Sequence, residues 1–330
     1  MTSINHSDES LFNINRALGL SSGDNPLVTI LMCTYNGERF LADQLDSLES
    51  QTYSKWVLVV SDDSSEDATL DILLKYEAKW PKGKIKIRSG PRKGFCQNFL
   101  SLACDPDLDG SYFAFCDQDD VWSPEKLEVA LHVHSTNRNS KIPFLYCGRT
   151  TYVTDVLKPC GNSPLFLFPP NFRNALVQSI GGGNTMVFNN AAKLIVEKAG
   201  ALDVPSHDWW LYQLISGAEG IVFYDPVPHI LYRQHDGALV GGSNSIPAKF
   251  RRLVMMMRGS LRDWNSLNTA ALTEVGHLLS NNNREILKLF VKIRHTNLTG
   301  RLRLMSICGL YRQTRSGTIS LYIAAILNKF

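Results

Sequence analysis

The stretch FCDQDDVW, residues 115–122, puts Asp117, Asp119 and Asp120 within four consecutive positions. The apolar run Tyr112–Phe113–Ala114–Phe115–Cys116 leads straight into it and reads as a buried strand. Alternate residues of an extended chain face the same way, so Asp117 and Asp119 can point together. Two ionised carboxylates that close repel each other unless a cation sits between them. Carboxylate oxygens suit Mg²⁺ or Mn²⁺, which keep several waters and bind substrate phosphates. The stretch therefore reads as a cation site built to hold a diphosphate. The competing reading is an Asx turn in which Asp120 and Ser123 cap a helix opened by Pro124.

Upstream, strand and helix signals alternate. Leu27–Cys33 (LVTILMC) and Lys55–Ser61 (KWVLVVS) are short apolar runs of the kind found in buried parallel strands. Phe40, Leu41, Gln44, Leu45 and Leu48 recur at helical spacing. Ser64 or Ser65 can cap a helix carrying Leu70, Leu73 and Leu74. Ile85–Arg88 is a weaker strand, and Phe95–Ala103 a helix. This alternation predicts a parallel, doubly wound α/β sheet. Beyond Ile142 the pattern is mixed: strands over Phe144–Thr151, Thr185–Phe188 and Ile221–Tyr224, helices over Ala191–Ala201 and Asp208–Ser216. From about Ile246 only basic helical segments follow. The expected division is a polar N-terminal tail over 1–26, an α/β domain over 27–245 and a helical extension over 246–330.

With 330 residues, 44% apolar and 20% charged, the chain reads as an ordinary globular protein. Met1 to Asn25 has no basic start and no apolar centre, which argues against a secretory signal. No window reaches the roughly 18 apolar residues of a spanning helix. Seven scattered Cys without a CxxC pair argue for a reducing compartment and against a disulfide frame or zinc site. The net charge of +3 is uneven. Ala248 to Phe330 holds 14 Lys and Arg against Asp263, Glu274 and Glu285, a local +11, which leaves −8 for the rest.

Ligands of open α/β sheets bind at the carboxyl ends of the strands. Three polar clusters fall there: Thr34–Glu38 (TYNGE) after the first strand, Asp62–Ser65 (DDSS) after the second, and the aspartates of 117–120 after the fourth. Any one of them alone would pass for a turn or a helix cap. A dinucleotide fold needs G-x-G-x-x-G after its first strand. TYNGERF lacks it, and no P-loop is present. A nucleotide diphosphate whose leaving group is stabilised by a metal remains.

On these residues the chain resembles family 2 glycosyltransferases of the GT-A fold, a Rossmann-like nucleotide-diphospho-sugar transferase fold with a mixed central sheet. The matching pieces are ILMCTYNGERFLADQLDSLESQTY, VVSDDSSEDAT, KGFCQNF, FCDQDDVW, GGGNTMVF, HDWW and YRQHDGALVGG, in order from about Leu27 to Gly242. CDQDDVW, GFCQNF and HDWW are most similar to bacterial rhamnosyltransferases and related O-antigen or capsule transferases. Cys33 and Ser64 depart from the Pro and Gly common in relatives, close to where the base would sit.

The resemblance implies roles. Thr34, Tyr35 and Glu38 would line the nucleoside pocket, Asp62 would contact a pyrimidine base, and Gly94 and Asn98 would lie beside the nucleotide. Asp117 would hold ribose or metal, and Asp119 would ligate Mg²⁺ or Mn²⁺. Asp208 matches the general base of a single inverting displacement. Read from its own neighbours, Asp208 opens a helix, where a carboxylate is favoured whatever its function. Trp209 and Trp210 could stack on sugar rings or pack in the core. Gly182 and Gly183 could let backbone approach the acceptor sugar or form a plain turn. His235 could be a further metal ligand and Arg233 a phosphate contact, or both could be structural.

The basic segment, with Phe250–Arg258 mixing apolar and basic residues, fits a helix lying on an anionic membrane surface or a solvated helical cap. No nucleic-acid motif is present, so nucleic acid is not the expected partner. The resemblance makes the membrane reading sensible by implying a polyprenyl-diphosphate-linked glycan acceptor and a peripheral place on the inner face of the bacterial cytoplasmic membrane. The leading expectation is transfer of L-rhamnose from dTDP-L-rhamnose onto such an acceptor. The alternatives are the same fold using UDP-galactose or UDP-glucose, and a sugar-nucleotide or glycan binding module without catalysis.

Overall fold

The computed structural model describes residues 25–136, 139–234 and 260–327. His235, the Phe250–Arg258 segment and the expected boundary near residue 246 lie outside the described residues.

A seven-stranded sheet carries the fold. Its strands are β1 (Val28–Thr34), β2 (Trp56–Asp62), β3 (Ile85–Ser89), β4 (Tyr112–Cys116), β6 (Phe144–Gly148), β9 (Val187–Asn189) and β10 (Ile221–Asp225). Their order across the sheet is β10-β6-β9-β4-β1-β2-β3. β1 is buried at every position because helices cover both faces, which explains its unbroken apolar run. The helices of the front half are α1 (Leu41–Glu49), α2 (Thr69–Lys79), α3 (Phe95–Ala103), α4 (Lys126–Thr136), α5 (Phe172–Ala175), α6 (Asn190–Ala199) and α7 (His207–Gly217).

The alternation over the first four strands predicts that they run parallel, and they do. β9 runs antiparallel between β4 and β6. β4 and β6 are therefore not neighbours, and the sheet is mixed, in agreement with the GT-A expectation. A second, four-stranded sheet, ordered β5-β11-β7-β8, joins β5 (Val121–Trp122), β7 (Thr151–Val153), β8 (Pro159–Asn162) and β11 (Ile230–Arg233). The expected strand over Phe144–Thr151 is split between the two sheets.

Register brings the polar clusters together. Thr34 pairs with Asp62, and Met32 with Cys116, so TYNGE, DDSS and DQDD leave the sheet at the same carboxyl edge. The cap expected from Ser64 or Ser65 is not formed. α2 begins later, and the Ala68 amide is met by the carboxylate of Glu38 at 2.9 Å. Ser65 instead turns back to Asp62.

The last part of the description is four helices: α8 (Ser260–Glu274), α9 (Asn281–Ile293), α10 (Leu298–Cys308) and α11 (Arg315–Ile326). They do not stand apart. Leu272, Phe290, Met305 and Leu321 belong to the same buried cluster as Phe115, Phe188 and Trp210. Asn283 on α9 donates to the carbonyls of Ser216 and Gly217 at the end of α7, at 3.1 and 3.0 Å. Asn174 donates to the Tyr311 carbonyl at 3.0 Å. The extension thus completes the core under α7. All seven cysteines are free thiols. No helix of the described residues is long and apolar enough to cross a membrane.

Candidate active site

At the carboxyl edge, the residues after β1 and β2 form one hydrogen-bonded unit. Thr34 Oγ1 donates to Asp62 Oδ2 at 2.8 Å. The Ser65 amide donates to Asp62 Oδ1 at 2.9 Å and its hydroxyl to Oδ2 at 2.6 Å. Asp62 is buried and faces its own loop, with three donors on its carboxylate. Glu38 caps α2 as described, and Tyr35 is left 58% exposed. Asn98 is buried and its amide donates to the Ser61 carbonyl at 2.9 Å, which pins α3 to the end of β2. Gly94 takes φ 82°, a left-handed conformation open to glycine, and its amide meets Asp63 at 3.0 Å.

The DQDD loop follows β4. Asp117 and Asp119 are half-buried, whereas Asp120 is fully buried. Burial raises the Asp117 carboxyl well above the ordinary carboxylate range, and the charges of Asp120, Asp119 and Asp208 raise it further. Burial and the Asp119 charge push Asp120 up to about 8, opposed by hydrogen bonds from Asn184 and the Arg233 amide. Crowded carboxylates of this kind are stabilised by a cation. Among the described residues no three or more His, Cys, Asp or Glu converge as a ready-made metal cluster. The donor set on hand, Asp117 and Asp119, fits Mg²⁺ or Mn²⁺ in the way these ions bind, by one or two carboxylates completed by water and substrate phosphate.

Arg233, expected to meet phosphate, has its guanidinium on protein acceptors. Nε donates to the Asp119 carbonyl at 2.9 Å, Nη2 to Asp43 at 2.8 Å, and Nη1 to the Asp155 carbonyl. The side chain is 2% exposed and lies over the Phe40 ring, so here it holds the DQDD loop in place.

Opposite, α7 begins at Ser206, whose hydroxyl caps the helix. Asp208 is half-buried, with the Ser206 hydroxyl and the Trp209 amide donating to it and the Gly183 backbone amide favouring its charged form. Burial still pushes its carboxyl up to about 6 against those donors. A carboxylate poised there can accept a proton near neutral pH. The 183 position is crowded: a Cβ on Gly183 would lie 2.4 Å from His207 Nε2, so glycine lets the amide come this near. An added Cβ on Gly182 would meet the Asn184 side chain, its Oδ1 at 2.7 Å.

Trp209 and Trp210 do not present a face to a sugar. Trp210 is 0% exposed, and Trp209 is buried with its Nε1 donating to the Ala175 carbonyl at 2.7 Å. α7 is buried at every position but Asp208, so their role in this structure is packing. Asp120, read in the sequence as a motif carboxylate or a helix cap, accepts from Asn184 and the Arg233 amide; Asn184 and Gln118 went unassigned. Gln118 contacts the backbone of Tyr35. The signal for Asn184 was a lone amide after three glycines, too common to single out.

Comparison with known proteins gives this arrangement a family. The description "Glycosyl transferase family 2" matches residues 29–185. The dTDP-rhamnosyl transferase RfbG of Shigella flexneri is 30% identical over 244 residues, 67% of this chain and 78% of RfbG. The UDP-Glc:alpha-D-GlcNAc-diphosphoundecaprenol beta-1,3-glucosyltransferase WfgD of Escherichia coli is 32% identical over 123 residues, 37% of this chain and 46% of WfgD. Among solved structures, S. aureus TarS 1-349 in complex with UDP-GlcNAc shares the fold with a TM-score of 0.53 at 16% identity, covering 91% of this chain and 90% of that one. The chain belongs to glycosyl transferase family 2 and is a glycosyltransferase of the GT-A fold.

Proposed function

We propose that the enzyme inverts the anomeric centre of a nucleotide-diphosphate sugar, with dTDP-L-rhamnose as donor and a polyprenyl-diphosphate-linked surface glycan as acceptor. The observation that carries the reaction class is one short turn that joins the two sides: Asn184 donates to Asp120, and Gly183 packs against His207, the residue before Asp208. A proton acceptor and a diphosphate-side carboxylate pair held near each other are what a single displacement needs.

Asp208 takes the proton of the acceptor hydroxyl. That oxygen forms its bond to the anomeric carbon as the bond from that carbon to the diphosphate oxygen breaks, and the nucleoside diphosphate leaves. Asp117 and Asp119 would hold Mg²⁺ or Mn²⁺, which when bound offsets the charge of the departing diphosphate. His235 is a candidate third ligand. Thr34, Tyr35 and Glu38 line the nucleoside side. Asp62, with three acceptor positions spent on its own loop, keeps one for a base. Gly94 and Asn98 shape the floor beside it. Gly182 and Gly183 border the acceptor side, next to Asp208.

The similarity to RfbG supports rhamnose. The similarity to WfgD favours a second reading, transfer of glucose from UDP-glucose. A peripheral position on the inner face of the cytoplasmic membrane is supported by the +11 C-terminal segment and by Ile319 and Ile323 standing exposed one turn apart on α11.

A donor panel decides among these. dTDP-L-rhamnose, UDP-galactose and UDP-glucose are each incubated with Mn²⁺ or Mg²⁺ and a short polyprenyl-diphosphate-linked sugar, and products are weighed by mass spectrometry. The expected product gains a deoxyhexose only from dTDP-L-rhamnose. A hexose gain from UDP-glucose replaces rhamnose with glucose, and no transfer from any donor overturns the proposal.

A further inference from the structure

The loop after β1 is held from two sides. The amides of Asn36, Gly37 and Glu38 donate to Ser65 Oγ, Thr69 Oγ1 and Asp67 Oδ2 at 2.9, 2.8 and 3.0 Å. These tie the loop to the segment that opens α2. The backbone of Tyr35 is tied elsewhere. Its amide donates to Gln118 Oε1 at 2.9 Å, and its carbonyl accepts from Gln118 Nε2 at 2.9 Å. One side chain, standing between Asp117 and Asp119, thus satisfies both backbone groups of one residue.

Gln118 reaches Tyr35 through space that a side chain at position 37 would fill. A Cβ built on Gly37 would lie 2.3 Å from Gln118 Oε1 and 2.6 Å from its Cδ, and the three nearest atoms all belong to Gln118. The backbone of Gly37 is outside the left-handed region, so glycine stands here for room and not for conformational freedom. Beside the clamp stands the exposed Tyr35 ring, a flat apolar face with a polar tip.

We propose that Gln118 is a positioning residue for the donor. Its two-point grip on the Tyr35 backbone sets the Tyr35 ring as a wall of the nucleoside pocket and fastens that wall to the loop that takes the diphosphate. The inference rests on the assignment of Tyr35 to the nucleoside and of Asp117 and Asp119 to the diphosphate. Nucleoside and diphosphate are then received by one preorganised unit, which lowers the ordering cost of binding.

The test titrates UDP and dTDP, each with Mn²⁺, into the wild type, Gln118→Ala, Gly37→Ala and the double variant. Mn²⁺ alone is titrated by electron paramagnetic resonance, and thermal unfolding checks that each variant folds. Losing two hydrogen bonds should weaken binding of the preferred nucleotide about tenfold or more. The donor KM should rise with it while kcat at saturating donor and affinity for Mn²⁺ alone stay near wild type, a split that a general loss of structure would not give. Gly37→Ala should weaken nucleotide binding by displacing Gln118. In the Gln118→Ala background the same methyl enters vacated space and should cost little more. Wild-type affinity in both single variants overturns the proposal, as does an equal cost of Gly37→Ala in both backgrounds. If the wild type binds neither nucleotide, the donor assignment itself falls and takes this inference with it.

Discussion

Gly183 packs so closely against His207, the residue before Asp208, that an added Cβ would lie 2.4 Å from its Nε2. The next residue, Asn184, donates through its side chain to Asp120. One short loop before β9 therefore touches both the helix start that carries the candidate base and the loop of the candidate cation site. The two halves of the reaction are set against each other by neighbouring residues of one strand entry.

Replacing Asp208 by Asn should leave the fold intact, because Ser206 caps α7 and the asparagine keeps a comparable shape. It cannot take the acceptor proton, and general-base catalysis contributes about 10²–10⁴-fold. Transfer should fall by that range while affinity for the donor nucleotide is retained. Near-normal turnover would return Asp208 to a role at the helix start.

The wild-type pH profile should carry the same residue. The Asp208 carboxyl is pushed up to about 6, mainly by burial, and only its ionised form accepts a proton. Transfer efficiency should decline below about pH 6, by about tenfold per unit well below it. This acid limb should be missing from the residual activity of Asp208→Asn.

Gly183→Ala tests the Gly183 contact. The added methyl would press on His207, which is stacked on Phe99 at 4.1 Å and edge-on to Phe115 at 4.7 Å and has nowhere to go. The loop should shift and weaken the pull of the Gly183 amide, which favours the charged form of Asp208. The acid limb should therefore move to higher pH. An unmoved limb with normal activity would show that the amide does not tune the base.

Trp210 should behave as core. Trp210→Ala should cost about 3–5 kcal/mol in denaturant unfolding. Trp210→Phe, which keeps most of the packing, should leave the acceptor KM unchanged. A raised acceptor KM in a stably folded Trp210→Phe would restore a sugar-stacking role.

Much of this site was legible because it is local. TYNGE, DDSS and DQDD each follow an apolar run, and parallel register places all three at one edge with no further information. The antiparallel course of β9 was not legible, since three buried residues in a row carry no direction. Trp209 and Trp210 were ambiguous because an aromatic on a helix start packs or stacks with the same residue types. Arg233 could be read as a phosphate contact or as structural, because its acceptors, Asp43, Asp119 and Asp155, are distant in sequence. Gln118 and Asn184 were hidden for the same reason, because their partners lie 83 and 64 residues away in sequence.

Membrane attachment is testable without removing the extension, which would uncover the shared core under α7. Ile319 is 61% and Ile323 48% exposed on α11. Ile319→Ser with Ile323→Ser should reduce sedimentation with anionic liposomes, and salt should reduce wild-type binding, each basic residue near the surface being worth about 1 kcal/mol. Equal wild-type partitioning to neutral and anionic vesicles would count against a basic membrane-facing surface.

The central claim is that Asp117 and Asp119 receive a donor diphosphate through a divalent cation while Asp208 acts separately as the base. Its most direct test is calorimetric titration of the donor into wild type, Asp119→Asn and Asp208→Asn, each with Mn²⁺ and again with EDTA. Wild type and Asp208→Asn should bind alike with Mn²⁺, EDTA should abolish both, and Asp119→Asn should bind weakly throughout. Equal donor affinity with and without EDTA, together with unchanged binding by Asp119→Asn, would contradict it.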